Sequence, residues 1–360
     1  MKEQLINSKC NDITIAKGIG IMLMVVGHSD SVAFLHYFIY YFHMPLFFFC
    51  SGFFFNRKTS VYEFTKKRIK GLYLPYAKWT LCIFLLHNMF YTLNIYNEAF
   101  GTSPYSSTYF GLHDVKHYII PLFINMNGSI TRILGGFWFI KVLLWSAIIV
   151  RLIGRLTTSK KRVVGLILGF AIIAVVSRKY SINIPVIEDI SIVCLGIVFY
   201  LCGYYWKNET QKRQNFRYFN SLILLGTLSL LALSFIWPAS MFCDYLMIFP
   251  YVGVALIGIY IVLGVSAYLD RRKPRLLYYI GNNTLTILGL HFLAFKIVAL
   301  IQIYYYHLDF TYLAKFPVAW SGQDGGWWIL YSITGIAIPV GIKCIYDRIR
   351  NQTAKCLNAT

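Results

Sequence analysis

The chain has 360 residues, of which 58% are apolar, 18% aromatic and only 13% charged. A soluble domain runs nearer half apolar and a quarter charged, so an ordinary cytosolic enzyme is excluded, and so is a disordered chain. The formal charge of +20 comes from 34 Lys and Arg against 14 Asp and Glu; in a soluble protein that excess would suggest nucleic acid, but its placement decides otherwise.

A bilayer crossing takes about 20 mostly apolar residues. Runs of this kind predict ten spans, over 13–30, 34–55, 72–94, 135–153, 162–177, 190–206, 219–237, 246–268, 278–301 and 326–346. Lys2 and Lys9 before the first run imitate a signal peptide, yet Lys17 inside it and the missing cleavage site make it a span. The polar, aromatic stretch between the third and fourth spans, with His113, Asp114, Lys116 and His117, predicts a short interfacial helix.

With the N-terminus placed in the cytoplasm, the inner loops and ends receive 25 of the basic residues. The outer loops receive five (Lys116, Arg132, Arg178, Lys179 and Lys315), and four (Lys17, Lys78, Lys141 and Lys296) fall inside spans. This alternation obeys the positive-inside rule. The expected fold is therefore all-α, a polytopic membrane protein of about ten transmembrane helices with both termini cytoplasmic, in which 1–360 is one membrane domain without an appended soluble one. The bilayer accounts for the net charge, and no nucleic-acid partner is expected. The eight cysteines are scattered, with no CxxC pair and no zinc-like Cys/His spacing, so no metal is expected.

An ionisable side chain inside a span is costly and is a functional candidate by default. No carboxylate lies deep in a span, which counts against a proton-coupled transporter or flippase of a glycan precursor, the alternative reading. Histidine and lysine are what the spans contain. Lys17 and His28 are eleven residues apart, which returns them to nearly the same helix face about 16 Å apart along the axis. His43 precedes Pro45 in the second span, where a kink is expected. His87 and His291 lie in the third and ninth spans, and His87 reads equally well as an interhelical strut. His36, His113, His117 and His307 are expected at solvated surfaces. The inner loop Lys66-Lys67-Arg68-Ile69-Lys70-Gly71 serves topology and could hold a phosphorylated ligand. Gly281-Asn282-Asn283-Thr284 reads as a helix start that caps itself or holds an anion.

Several of these segments form a recognisable set. Ala16-Lys17-Gly18-Ile19-Gly20, Val25-Val26-Gly27-His28-Ser29, Phe42-His43-Met44-Pro45-Leu46 and Ser51-Gly52-Phe53 resemble the integral-membrane acyltransferase-3 family, and within it the fucose 4-O-acetylase-like branch. The basic-x10-His arrangement is matched by Lys17 and His28. Arg68 before Pro75-Tyr76, Phe137-Trp138-Phe139, and Gly281-Asn282-Asn283-Thr284 leading to His291 resemble later landmarks. Two positions depart from the pattern: Thr14 stands where an acidic residue is common, and Gly71 where a second arginine is common.

The resemblance implies an O-acetyltransferase of a bacterial inner membrane. Its donor is cytosolic acetyl-CoA, or another short acyl-CoA, and its acceptor a carbohydrate hydroxyl, cell-surface or lipid-linked. CoA phosphates would meet Lys67, Arg68 and Lys70, with Lys17 at the mouth of the track. His28 would be the general base or a transient acyl carrier. His43, Trp138, Lys141, Asn283 and His291 are candidates for holding the sugar or the oxyanion, Trp138 by stacking on a pyranose face.

Overall fold

Backbone groups inside a bilayer can be satisfied only by one another, so apolar segments fold as helices. The computed structural model describes residues 11–101, 103–153, 159–210, 221–321 and 325–357. The basic residues Lys2, Lys9, Arg155, Lys212, Arg213 and Arg217, counted above for the inner side, lie outside the described residues.

The helices are α1 (Asn11–His28), α2 (Ala33–Phe53), α3 (Val61–Arg68), α4 (Leu74–Leu85), α5 (His87–Thr92), the short α6 (Pro104–Ser107) and α7 (Leu112–Ile119), and α8 (Trp138–Leu152). They continue with α9 (Lys160–Lys179), α10 (Ile190–Thr210), α11 (Ser221–Ser234), α12 (Ile248–Asp270), α13 (Arg275–Asn282), α14 (Thr284–Tyr305) and α15 (Trp327–Leu357). One two-residue hairpin, β1 (Asn183–Ile184) with β2 (Glu188–Asp189), is antiparallel. The protein is an all-α, polytopic membrane protein. Six helical stretches among the described residues are long and apolar enough to cross a bilayer: 33–53, 132–152, 190–207, 245–270, 284–305 and 327–353. α1 and α9 coincide with two further expected spans but carry polar residues at their ends, and α11 is shorter.

Two expected spans are divided. The third is a five-residue π-turn (Ile69–Tyr73) followed by α4 and α5, which part at Leu86, where ψ falls to 1°. There His87 leaves the apolar run to bond the Thr108 carbonyl at 2.9 Å and to stack on Phe110 at 3.6 Å between ring centroids. The ninth breaks at Asn283, whose side-chain amide donates to the Tyr279 carbonyl at 2.8 Å. In the second, α2 runs as one helix through Pro45.

The helix bearing Lys17 and His28 sits in the middle of the bundle. α1 packs against α2, α12, α13, α14 and α15 at once. Small residues allow this. A Cβ at Gly281 would overlap the Thr14 carbonyl, so α13 lies backbone to backbone against α1. A Cβ at Gly27 would come within 2.9 Å of the Tyr40 ring, so α2 lays Tyr40 directly along α1 beside His28. Beyond His28, the Ser332 hydroxyl donates to that of Ser29 at 2.9 Å, tying α15 to the end of α1.

Candidate functional site

A cavity of about 230 Å³ opens at the end of the bundle opposite the basic loops. Met24 and His28 from α1, Tyr40, His43 and Met44 from α2, Gly136 and Trp138 at the start of α8, Leu288 from α14 and the loop Ser240-Met241-Phe242 line it. His28 is half-buried in its wall. Its ring stacks on His291 at 5.7 Å and meets Phe292 at 5.2 Å. Its Nδ1 lies 3.3 Å from the Tyr40 hydroxyl, and among the described residues Nε2 has no hydrogen-bond partner. The tautomer that donates Nδ1–H to Tyr40 leaves Nε2 bare, the form a base requires.

Tyr40 itself is held between two imidazoles, stacked on His36 at 4.0 Å and edge-on to His43 at 4.8 Å. His36, expected in solvent, is half-buried and donates Nδ1–H to the Gly27 carbonyl at 3.0 Å, because Gly27 brings α2 against the end of α1.

Two fully buried histidines near His28, namely His43 and His291, are alike. His43 donates Nδ1–H to the Ile39 carbonyl at 2.9 Å, and His291 donates Nδ1–H to Leu288 at 2.9 Å, with Ile287 at 3.2 Å. Each bond directs the proton to Nδ1, so a neutral ring presents a lone pair at Nε2, and the Nε2 of His291 is buried without a partner. A lone pair accepts from a hydroxyl; it does not hold an oxyanion. That geometry favours acceptor binding over oxyanion stabilisation for His43, which lines the cavity; His291 is completely buried behind His28 and does not line it.

Trp138 lines the cavity and packs edge-on to Phe242 at 4.9 Å. Lys141, one turn further along α8, points elsewhere: it is 5% exposed and ion-paired with Glu188 of the hairpin at 2.8 Å. Asn283 is at the α13–α14 junction and does not line the cavity. Arg178 is a residue that sequence reasoning passed over. It donates to Ser191 at 3.0 Å and to the Cys243 carbonyl at 2.9 Å, holding the loop that carries Met241 and Phe242. Burial pushes the Cys243 thiol up to about 11, so this cysteine near the rim stays protonated and is a poor nucleophile.

At the basic end, Arg68 is half-buried with its guanidinium 5.0 Å over Phe64 and 5.9 Å over Tyr200, and it donates to the Tyr200 hydroxyl at 3.0 Å. Lys67 and Lys70 are exposed beside it, Lys70 on the π-turn. Lys17 is half-buried on α1. Ile21 and Met24 continue its stripe toward His28, both 2% exposed, so this face is packed shut between the two ends. Among the described residues no group of three or more His, Cys, Asp or Glu side chains could hold a metal ion.

A membrane-spanning helical bundle with a half-buried imidazole in the wall of a cavity has the make-up of an integral-membrane enzyme built for proton transfer. A family model described as an acyltransferase domain matches residues 11–344. The chain belongs to this acyltransferase-3 family and is a multi-pass membrane acyltransferase. Among curated proteins and among solved structures, nothing matched the chain.

Tyr40 is a positioning residue in this site. Tyr40→Phe keeps the ring between His36 and His43 but removes the bond to His28. Turnover is expected to fall about five- to tenfold, the worth of one neutral hydrogen bond. The pH profile of turnover should shift, with the donor KM and the melting temperature unchanged; an unshifted profile would make Tyr40 packing alone.

Proposed function

We propose that the protein transfers an acetyl or similarly short acyl group from cytosolic acyl-CoA to a hydroxyl of a cell-surface or lipid-linked carbohydrate, at the inner membrane of a bacterial cell. The observation that carries this reading is His28 itself, half-buried in the cavity wall with Nδ1 engaged by Tyr40 and Nε2 free.

The donor binds at the basic end. Arg68, Lys67 and Lys70 meet the CoA phosphates, with Lys17 beside the path of the pantetheine arm. The arm runs toward His28 over a distance of about 16 Å, eleven residues of helix rise. Ile21 and Met24 close the direct stripe, so donor binding displaces side chains along it. The cavity suits one sugar ring and the thioester tip, being small beside the roughly 300–1,000 Å³ of ordinary ligand pockets. Trp138 offers an apolar face to the ring, and His43 accepts from its hydroxyls.

His28 Nε2 takes the proton from the acceptor hydroxyl as its oxygen bonds the thioester carbonyl carbon. Collapse of the tetrahedral adduct breaks the C–S bond, and the departing CoA thiolate takes the proton back from His28. An ester and free CoA result, so atoms and charge balance without a metal or a covalent enzyme intermediate.

The test is to give membranes carrying the protein acetyl-CoA labelled in the acetyl group and to follow label into carbohydrate extracted from them. Base-labile label in carbohydrate, absent from membranes lacking the protein, is expected. Label in neither carbohydrate nor lipid, with CoA release at background, would overturn the reading.

A further inference from the structure

A second, much smaller cavity lies where Tyr96, Phe100 and Ser106 meet α14 and the loop after Phe310. It holds about 10 Å³ of free space, room for one particle of roughly water size. Tyr96, Arg132, Lys296 and Phe316 line it. Three features of its lining belong together.

First, the Tyr96 hydroxyl is buried and has no hydrogen-bond partner, on a side chain 3% exposed. A buried hydroxyl left unmatched is costly, and buried polar groups are normally hydrogen-bonded. Second, Lys296 is 6% exposed and its ammonium donates to two carbonyls, Leu313 at 2.7 Å and Lys315 at 2.9 Å. An ammonium has three donors, and neither partner carries charge. Among the described residues no carboxylate pairs with it. Third, Arg132 lines the same cavity, and its charge acts on Lys296 repulsively. Water would satisfy the hydroxyl and the third ammonium proton but would leave the Lys296 charge without a counter-ion in a region of low dielectric.

We propose that this cavity is a binding site for a single monatomic anion, chloride in the cell, accepting from Tyr96 and Lys296. The anion cancels part of the positive charge and pins α14 to the loop over 310–316. It thereby braces the wall behind His28, since Phe316 packs on Phe292 at 4.4 Å and Phe292 on the His28 ring at 5.2 Å. This inference does not depend on the identity of donor or acceptor.

The detergent-purified full chain would be melted in sodium chloride, sodium bromide and sodium gluconate at one ionic strength. A saturable rise in melting temperature with either halide over gluconate is expected. The rise should be smaller in Tyr96→Phe and absent in Lys296→Met. Equal melting in halide and gluconate would overturn the proposal and leave water alone in the cavity. A halide effect of the same size in Tyr96→Phe would overturn it too, by placing the effect elsewhere, and this variant serves even if Lys296→Met does not fold. In crystals grown with bromide, an anomalous peak between Tyr96 and Lys296 is expected.

Discussion

Replacing His28 with alanine is expected to lower acyl transfer by roughly 10²–10⁴-fold, the range over which a positioned base accelerates a proton transfer. The loss should fall on turnover. His28 is about 16 Å along α1 from Lys17, so acyl-CoA should raise the melting temperature of His28→Ala as it does the parent's. His28→Gln tests the same point with a side chain that can hydrogen-bond but cannot take up a proton near neutral pH, and it should be equally slow. Full transfer by either variant would remove His28 from the chemistry. The site would then have to be rebuilt on His43, whose imidazole also lines the cavity.

Arg68→Ala is expected to act on the opposite quantity. Its guanidinium lies over the Phe64 and Tyr200 rings and donates to the Tyr200 hydroxyl. That fixes a planar donor which a phosphate can meet with two parallel bonds. A hydrogen bond to a charged partner is worth about 1.5–3 kcal/mol, so the donor KM should rise about 10- to 150-fold with turnover nearly kept. Arg68→Lys should recover only part of the loss, because an ammonium keeps the charge but not the fork. Lys67→Ala and Lys70→Ala should each cost less, and their cost should fade with salt, since both side chains are exposed. A thermal scan without ligand separates a binding defect from an unfolding one, because Arg68 also packs against Tyr200. An unchanged donor KM in Arg68→Ala would move the phosphate site away from this loop.

The departure at Gly71 bears on the same loop. A Cβ there would meet nothing within 4 Å, so the glycine answers no packing demand. It sits in the π-turn Ile69–Tyr73, exposed. Nothing in the structure explains why a second arginine is missing at this position.

The residues themselves determined the membrane class, the helical stretches, the gathering of positive charge at one end and the common face of Lys17 and His28. All of these follow from local rules: apolar length sets a span, loop charge sets sidedness, and 3.6-residue periodicity sets a face. Tertiary packing decided the rest. Tyr40 is twelve residues from His28 and reads as one more aromatic in an aromatic helix, until Gly27 lets α2 close on α1 and carries its hydroxyl to Nδ1. Trp138 and Phe242 meet across more than a hundred residues of chain, and Arg178 holds the loop that makes the meeting possible. Lys141 and Asn283 had the right chemistry for the site, but one is drawn to Glu188 and the other caps a helix break. Which polar group faces the cavity and which faces a neighbour depends on how helices distant in sequence rotate and pack. Those contacts are set by backbone approach at small residues and by buried pairing, and neither leaves a periodic trace in the chain.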